Sequence, residues 1–273
     1  MIPKIIHYCW FGGNPLPELA QKCIASWKKH CPDYEIIEWN ESNYDISSAP
    51  LYVRQAYEAK KWAFATDYIR YDVLYKMGGV YFDVDVELIK PIDNLLIKGA
   101  FMGCEKNGDE IAINPGIGLA FEKENPLVKE IIDFYHTIKF IKDDGTQNLE
   151  TVVIYTTKIL LSKGLKKENN IQNVMGINIY PTEYFCPKDF ETGELNLTDN
   201  TYSIHHFDAS WFTEEQKYIQ LLRYKFAKKL PHKIAHWLSL MAGFTKYRGF
   251  FKMPKAMIEF KIENMKRKKE QNV

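Results

Sequence analysis

The sequence predicts an α/β fold built around a mostly parallel central sheet. Residues 4–11 and 34–39 are rich in β-branched and aromatic side chains, and between them the apolar residues recur at helical spacing. A strand, a helix and a second strand at this spacing form a βαβ unit, in which the strands run parallel and the crossover is right-handed. A long helix that leads through a glycine pair into a further strand continues the same alternation.

Turn and cap residues set the limits of the first predicted elements. Gly12-Gly13-Asn14-Pro15 ends the first strand, and Pro32-Asp33 ends the helix predicted over residues 16–31. The next helix is predicted over residues 60–77, because Gly78-Gly79 closes it as a C-cap pair. After the strand that follows, apolar runs predict strands over 100–104, 111–113, 116–121, 177–181 and 202–207, and helices over 126–142 and 149–163.

Composition divides the chain into an acidic body and a basic end. Its 273 residues are 46% hydrophobic, which suffices for one large domain or for one domain with an appendage. Residues 217–273 contain fifteen Lys or Arg and three Glu, whereas the preceding 216 residues contain 21 basic and 32 acidic groups. We expect an α/β domain over residues 1–212 and a helical, basic C-terminal region over 213–273. The net charge of +1 creates no global field, so no nucleic-acid partner is expected.

Cysteine usage and the N-terminal residues indicate a reducing compartment. The five cysteines include no CxxC pair, so the sequence predicts neither a disulfide framework nor a zinc site. The first residues lack the charged segment and apolar run of a signal peptide. No window approaches the roughly 18 apolar residues of a spanning helix. The expected location is cytoplasmic.

Residues 80–88 carry the most informative local pattern. Apolar residues occupy the even positions, and Tyr81, Asp83, Asp85 and Glu87 occupy the odd ones. In a strand these four side chains would share one face. Neighbouring aspartates repel each other, and a hard divalent cation such as Mg²⁺ or Mn²⁺ relieves that repulsion. Because Asp is depleted in strands, metal binding is favoured over the alternative of a solvated strand face.

A longer series of residues surrounds this pattern. Asp67 and Arg70 lie three positions apart on the predicted helix, which an intrahelical ion pair alone would also explain. The series ATDYIRY at residues 65–71, followed by GGVYFDVD at 78–85, resembles the DXD signature of nucleotide-sugar-dependent glycosyltransferases with the GT-A fold. It most resembles glycosyltransferase family 32, which contains the yeast α-1,6-mannosyltransferase and bacterial capsular-polysaccharide transferases. The site of this family is similar to that of the large clostridial glucosylating toxins.

The resemblance implies roles for the matching residues. Asp83 and Asp85 would hold the metal and the donor, with Asp85 as the direct metal ligand. Asp67 and Arg70 match helix residues that hold the donor sugar and its phosphates, and Tyr81 matches the aromatic residue before the motif. The expected catalytic residues are Asp83, Asp85, Arg70 and Asn114.

Two more segments extend the resemblance. The run IPKIIHYCWFGG at residues 2–13 matches the family's opening strand, where Trp10 would stack on the nucleotide base; a core tryptophan is the alternative. The run NPGIG at 114–118 resembles the strand entry beside the donor sugar. Asn114 is therefore the candidate that orients the transferred sugar or the acceptor. A Gly-Pro pair that the family often carries further on is absent from residues 149–153, which leaves the acceptor side undefined.

A late segment, IHHFDASW at residues 204–211, matches the part of GT-A enzymes that folds over the pyrophosphate and often supplies a third metal ligand. Spacing does not decide which of the two adjacent histidines binds the metal, and we expect His206 to do so. The alternative is a core histidine whose hydrogen bonds are all made within the protein. Ser210 and Trp211 are expected to give hydrogen bonds to the phosphates of the nucleotide sugar, since hydroxyl and indole groups both donate hydrogen bonds.

The expected function is the transfer of a sugar from a nucleotide-sugar donor, UDP-sugar rather than GDP-sugar, to a glycan or lipid-linked glycan in surface polysaccharide synthesis. The resemblance implies Mn²⁺ or Mg²⁺ as the cofactor and retention of anomeric configuration. One alternative is a non-catalytic nucleotide-sugar-binding module of the same fold. Another is a metal-dependent phosphohydrolase or nucleotidyltransferase, for which we find neither a phosphate loop nor a further carboxylate pair.

The basic end has two interpretations. Tyr218, Leu222, Phe226 and Leu230 recur at helical spacing among Lys and Arg. This pattern fits peripheral association with an anionic membrane surface, which would place the protein on the inner face of the cell membrane. It equally fits a helical cap whose apolar stripe packs on the acidic body.

Overall fold

A computed structural model describes residues 1–108, 110–208 and 213–271 of the chain. The chain divides into two compact units. Unit 1 comprises Met1–Lys188 and Leu195–Phe207, and unit 2 comprises Asp189–Glu194 and Asp208–Val273. The domain boundary predicted at residue 212 falls within residues 209–212, outside the described part of the chain.

The secondary structure alternates between strands and helices. The strands are β1 (Ile5–Cys9), β2 (Glu35–Trp39), β3 (Gly79–Tyr81), β4 (Val86–Leu88), β5 (Phe101–Asn107), β6 (Glu110–Ile113), β7 (Leu119–Phe121), β8 (Gln172–Val174), β9 (Ile177–Tyr180) and β10 (Ser203–His205). The helices are α1 (Glu18–His30), α2 (Leu51–Glu58), α3 (Trp62–Met77), α4 (Asp93–Leu96), α5 (Pro126–Thr137), α6 (Val152–Leu161), α7 (Thr182–Phe185), α8 (Glu214–Ala227), α9 (His232–Arg248) and α10 (Met253–Gln271). Two 3₁₀ turns span Ile46–Ser48 and Phe250–Lys252.

The central sheet has the strand order β2-β1-β3-β7-β5-β9-β8, and β6 pairs with β5 outside this path. β1 is parallel to both β2 and β3, and β5 is parallel to β9. β7 and β8 are antiparallel to their neighbours. Five of the seven strands on the path therefore run in one direction. The predicted α/β fold with a mostly parallel central sheet is confirmed.

Side chains alternate between two hydrophobic cores, one on each face of the sheet. Val80 of β3 and Phe82, which follows it, pack with Trp27 of α1, whereas Tyr81 points to the opposite core. That opposite core also contains Tyr71 from α3. The period of two expected from the sequence holds here, and it sends the side chain of Tyr81 to the α3 side of the sheet.

The aspartates of the DXD pattern lie in a turn. β3 ends at Tyr81 and β4 begins at Val86, so the single strand expected over residues 80–88 is wrong. The backbone N–H of Asp83 donates to the Gly116 carbonyl at 2.7 Å, and the N–H of Val86 donates back to the Asp83 carbonyl at 3.1 Å. Aspartate favours turns because its short polar side chain tolerates their backbone geometry. This local preference ends the strand although the apolar alternation continues.

β4 belongs to a separate two-stranded sheet with β10. The pair is antiparallel, with Ser203 opposite Leu88 and His205 opposite Val86. Helix α1 holds β4 in place, since the indole of Trp27 donates to the Val86 carbonyl at 2.7 Å. The late strand predicted over residues 202–207 is therefore attached directly to the element that follows the aspartates.

Most of the other predicted elements are present with shifted ends. The two later helices are shorter than predicted, as α5 and α6, and the strand predicted over residues 116–121 is reduced to β7. Helices α2, α4 and α7 and strand β8 were not predicted. Each has eight residues or fewer, and so short a segment gives little periodic signal.

Unit 2 is helical, as predicted for the basic end. α8 begins with a capping box in which Thr213 and Gln216 satisfy each other's backbone N–H groups. The small core of unit 2 consists of Ile219, Leu240, Phe244 and Ala256. Among the described residues we find no helix that combines the length and apolarity needed to cross a membrane.

Candidate functional site

The candidate site lies at one edge of the central sheet. The carboxyl ends of β1 and β3 meet the amino end of β7 there, because β7 is antiparallel to β3. β5 runs in the same direction as β1 and β3 and brings Glu105 toward this edge. Ligands of α/β proteins bind outside the carboxyl ends of parallel strands, so this edge is the expected location of a site.

Arg70 of α3 is the centre of the cluster. Its terminal nitrogens lie 3.2 Å from Asp67 Oδ1 and 3.4 Å from Asp83 Oδ2, and its Nε donates to the Thr66 carbonyl. The guanidinium carbon lies 4.8 Å from the centre of the Tyr81 ring, and the Tyr81 hydroxyl donates to Asp83 Oδ1 at 3.1 Å. The structure therefore brings four of the predicted site residues into one network. Arg70 is only 4% exposed, and burial strengthens these charge interactions.

Asp67 links the cluster to helix α6. Its second carboxylate oxygen accepts a hydrogen bond from the backbone N–H of Val152, the first residue of α6, at 3.2 Å. Burial raises the pKa of Asp67 to about 7, and the charge of Arg70 opposes this rise. Both oxygens of Asp67 are thus engaged within the protein. Its role as a ligand of the donor sugar stays a prediction.

Gly116 leaves room for the side chain of Asp83. A Cβ atom on Gly116 would lie 1.8 Å from Asp83 Oδ2, which no pair of non-bonded atoms can tolerate. The Gly116 carbonyl also accepts the backbone N–H of Asp83 at 2.7 Å. The run of residues 114–118, singled out in the sequence for Asn114, therefore acts on Asp83 through its glycine.

Asp85 faces His205. The Nε2 atom of His205 lies 3.3 Å from Asp85 Oδ2, and both side chains are mostly buried. Burial lowers the pKa of His205, but the Asp85 carboxylate outweighs burial and raises that pKa well above its usual value. His206, the predicted metal ligand, instead contacts Glu87 with its Nε2 2.8 Å from Oε2. The structure therefore places His205, and not His206, beside Asp85, and the metal-ligand role of His206 stays a prediction.

Glu105 is a member of the cluster that the sequence analysis missed. Asn114 donates from Nδ2 to Glu105 Oε2 at 2.7 Å, while its Oδ1 accepts the backbone N–H of Gly116 at 2.8 Å. Burial and the nearby charge of Asp83 raise the pKa of Glu105, against the opposing influence of His205 and Asn114. Asn114 is itself buried, and its amide serves the loop that carries Gly116. No local motif marks Glu105, since it is one acidic residue in an otherwise ordinary strand.

The remaining predicted residues lie apart from this network or outside the described chain. Trp10 follows β1 directly, at the same sheet edge, where it is partly exposed and donates from its indole to the Asn14 carbonyl. Stacking of Trp10 on a nucleotide base stays a prediction. Ser210 and Trp211 fall among residues 209–212, outside the described residues.

The carboxylates of this edge fit a divalent cation that arrives with phosphates. Within the described residues, no group of three or more His, Cys, Asp or Glu side chains is arranged to hold a metal ion by itself. Mg²⁺ and similar ions need only one or two protein carboxylates when substrate phosphates and water complete the shell. The Asp83 side chain is 36% exposed, compared with 15% for Asp85. Asp83 is therefore the more accessible of the two, whereas the sequence analysis had favoured Asp85 as the direct ligand.

Residues 17–102 match the family described as "Glycosyltransferase sugar-binding region containing DXD motif". The match spans just under a third of the chain and includes α3, the turn with both aspartates and β4. This region belongs to the DXD-containing glycosyltransferases. The family resemblance read from the sequence is confirmed for it.

The chain is also similar to two curated fungal proteins. Inositol phosphoceramide mannosyltransferase 1 of Schizosaccharomyces pombe is 32% identical over 112 residues, which cover 37% of this chain and 33% of that protein. The initiation-specific alpha-1,6-mannosyltransferase of Candida albicans is 25% identical over 191 residues, which cover 64% of this chain and 47% of that protein. The chain thus spans about a third to a half of the length of these relatives.

Among solved structures, the PaToxG glycosyltransferase is similar to this chain, with 21% sequence identity and a TM-score of 0.47. The match covers 60% of this chain and 70% of the PaToxG chain. Because this score is low, the fold assignment rests on the strand order and directions of the central sheet itself.

Proposed function

We propose that this chain is a metal-dependent glycosyltransferase that moves a hexose from a nucleotide-sugar donor to a glycan or glycolipid acceptor. The observation that carries the proposal is the joining of Asp83, Arg70, Asp67 and Tyr81 at the ligand-binding edge of the sheet, inside the region that matches the DXD family. A degenerate, non-catalytic module of the same fold would be expected to have lost a carboxylate or Trp10, and this chain keeps Trp10 and both aspartates.

The residues of the chain have distinct tasks in this proposal. Asp83 and Asp85 would hold a divalent cation, which supplies Lewis-acid stabilisation to the departing diphosphate when it is bound. Arg70 and the Tyr81 hydroxyl fix the orientation of the Asp83 carboxylate before any ligand arrives. His205 does the same for Asp85. Groups that are oriented in advance stabilise the charge that develops in the transition state without having to reorganise. The loss of one such group raises the activation free energy by about 3 kcal/mol, which lowers the rate roughly a hundredfold.

The donor and acceptor are proposed at the level of chemical class. The names of the two fungal relatives specify mannose as the transferred sugar, and one of them names inositol phosphoceramide, a glycolipid precursor. Mannose carried on a guanosine nucleotide is therefore tested beside the UDP-sugars that the sequence analysis favoured. Retention of configuration and a place in surface polysaccharide synthesis stay predictions.

The test is release of nucleoside diphosphate by the full chain from a panel of UDP- and GDP-sugars. Acceptors are a mannosylated glycan and an inositol-phosphate sphingolipid, and the panel is run with Mn²⁺, with Mg²⁺ and with chelator. We expect metal-dependent release from one donor and a loss of about a hundredfold in the Asp83→Asn and Asp85→Asn variants. The exposed Asp143, which pairs only with a surface lysine in the described chain, gives the matched control Asp143→Asn with unchanged turnover.

Two results would contradict the proposal. Equal turnover of the wild type and the two aspartate variants would show that the two carboxylates take no part in the reaction. Calorimetric binding of a nucleotide sugar without release of nucleoside diphosphate, with every acceptor tried, would favour the binding-module alternative. The anomeric configuration of any product, measured by NMR, decides between retention and inversion.

A further inference from the structure

Helix α9 of unit 2 is apolar on two sides. One side carries Leu240 and Phe244, which are buried with Ile219 in the core of the unit. A different side carries an exposed apolar stripe, with side chains that recur at the three- and four-residue spacing of one helix face. The stripe consists of Ile234, Trp237, Leu238 and Met241, which are 49%, 43%, 39% and 41% exposed.

The 3₁₀ turn after α9 extends this surface. Phe250 is 68% exposed and Phe251 is 96% exposed, which is unusual for adjacent aromatic residues in a folded unit. Leu238, Met241 and Phe250 line one shallow groove together with Phe226 of α8 and Met253 of α10. The stripe and the turn are therefore continuous, and we call the combined surface the α9 face.

Basic residues flank the α9 face along the chain. Lys233 precedes the stripe, Lys246 lines the groove, and Lys252 and Lys255 follow the two phenylalanines; all four are exposed. Residues 217–273 carry fifteen Lys or Arg against three Glu. Lysine can bury its alkyl stem at an apolar boundary and keep its ammonium group in water. An apolar centre that contains Trp and Phe, with a rim of lysines, is complementary to the interface of an anionic bilayer.

We propose that the α9 face docks on an anionic lipid surface, with Trp237, Phe250 and Phe251 inserted at the headgroup boundary and the surrounding lysines against lipid phosphates. This surface is centred on α9 and not on the predicted apolar pattern of α8, with which it shares Phe226. In that pattern Tyr218, Leu222 and Phe226 are half-buried, and Leu230 is exposed. The docking proposal does not depend on catalysis, and it deepens the proposed function only where the acceptor is a lipid.

The experiment is co-sedimentation of the full chain with vesicles of phosphatidylcholine, with and without phosphatidylglycerol. We expect binding to the anionic vesicles that weakens as salt is raised. The double variant Trp237→Ser/Phe251→Ser is expected to lower the partition coefficient about a hundredfold, because two aromatic side chains no longer leave water. Lys252→Glu is expected to reduce binding to anionic vesicles by at least about fivefold and to leave binding to neutral vesicles unchanged.

Matched controls come from exposed apolar residues of unit 1. Ile97 is 84% exposed and Met175 is 64% exposed, so Ile97→Ser/Met175→Ser removes comparable apolar surface that is not part of the α9 face. This control is expected to bind vesicles as the wild type does. Equal vesicle binding by the α9 variant and the wild type would overturn the proposal. It would also be overturned if the wild type ignored vesicles and formed dimers, measured by light scattering, that the α9 variant abolished.

The two proposals fail separately. Nucleoside diphosphate release with a soluble acceptor measures the reaction without any membrane, and sedimentation measures docking without any donor. A chain that binds vesicles and releases no nucleotide would keep the α9 proposal and lose the catalytic one.

Discussion

Asp83 and Gly116 share a space that holds a carboxylate oxygen and no additional carbon atom. Gly116→Ala is therefore expected to displace Asp83 from Arg70 and Tyr81. The Asp83 side chain is 36% exposed and can turn toward solvent, but buried Arg70 then keeps only the Asp67 carboxylate, so the free energy of unfolding should fall by about 1 to 3 kcal/mol. We expect turnover to fall about a hundredfold and Mn²⁺ affinity, measured by calorimetry, to weaken.

A double-mutant cycle shows whether Gly116 acts through Asp83. In an Asp83→Ala background, Gly116→Ala should cost little additional activity, because the displaced carboxylate is already absent. Additive losses in the two variants would mean that Gly116 acts on some other part of the site.

Glu105 is predicted to act as a positioning residue for the same turn. It accepts the Asn114 amide, and Asn114 in turn holds the Gly116 backbone that accepts the Asp83 N–H. Glu105→Ala should lower kcat about tenfold to a hundredfold with a smaller change in KM. Glu105→Gln keeps an oxygen acceptor for the amide and should recover most of that loss. If both variants were equally impaired, the carboxylate charge rather than the hydrogen bond would be responsible.

Single residues show where sequence reasoning reached its limit. Asp67, Arg70, Tyr81 and Asp83 lie in one continuous stretch, so their spacing and family pattern were sufficient to group them. Glu105 comes from a strand that reaches the edge only through the order of the sheet. His205 and His206 differ by one position, and only the pairing of β10 with β4 decides which one faces Asp85.

Among the elements, the βαβ unit and α3 followed from periodicity and cap residues. The turn at residues 83–86 did not, because its apolar residues continue the alternation of the strand before it. The turn is also held by a hydrogen bond from the backbone N–H of Asp83 to the Gly116 carbonyl, and that contact joins residues 33 positions apart. Long-range partners of this kind are not encoded in local pattern.

His7 joins three elements and predicts a pH dependence of stability. Its Nδ1 accepts the Trp39 indole N–H from β2, so Nε2 must carry the proton that is donated to the Gly78 carbonyl after α3. Both contacts require neutral imidazole, and burial lowers the pKa of His7 to about 4. The unfolded chain therefore takes up the proton first as pH falls. Stability from His7 is complete above about pH 6.5 and is lost between about 6.5 and 4.

The measurement compares chemical unfolding of the wild type and His7→Gln across this pH range. Between neutral pH and pH 4 the wild type should lose on the order of 3 kcal/mol more than the variant, because glutamine does not titrate. Parallel pH profiles for the two proteins would show that His7 is not the titrating group.

For the molecule as a whole, the fold class and the mostly parallel sheet were predictable, since both follow from the order of helices and strands. The two-unit division predicts an uneven distribution of stability. Unit 1 contains two extended cores, and the described core of unit 2 has four buried residues, with Leu240 and Phe244 at its centre.

Hydrogen exchange measured by mass spectrometry should detect this difference. We expect amides of α9 to exchange faster than amides of α3, because a small core opens at lower free energy. Anionic vesicles should slow exchange in α9 and leave α3 unchanged. Equal protection of both helices in the absence of lipid would contradict the expected distribution.

The attachment of β10 to β4 has a consequence for insertions and deletions. Side chains of a strand alternate, so sliding β10 by one position along β4 would send His205 to the opposite surface and present a neighbour to Asp85. Insertions or deletions in the connection that precedes β10 are therefore expected to be tolerated when they leave this register intact. A shift of the β10 register by one residue would remove the imidazole from Asp85 while every residue of the DXD turn remained in place.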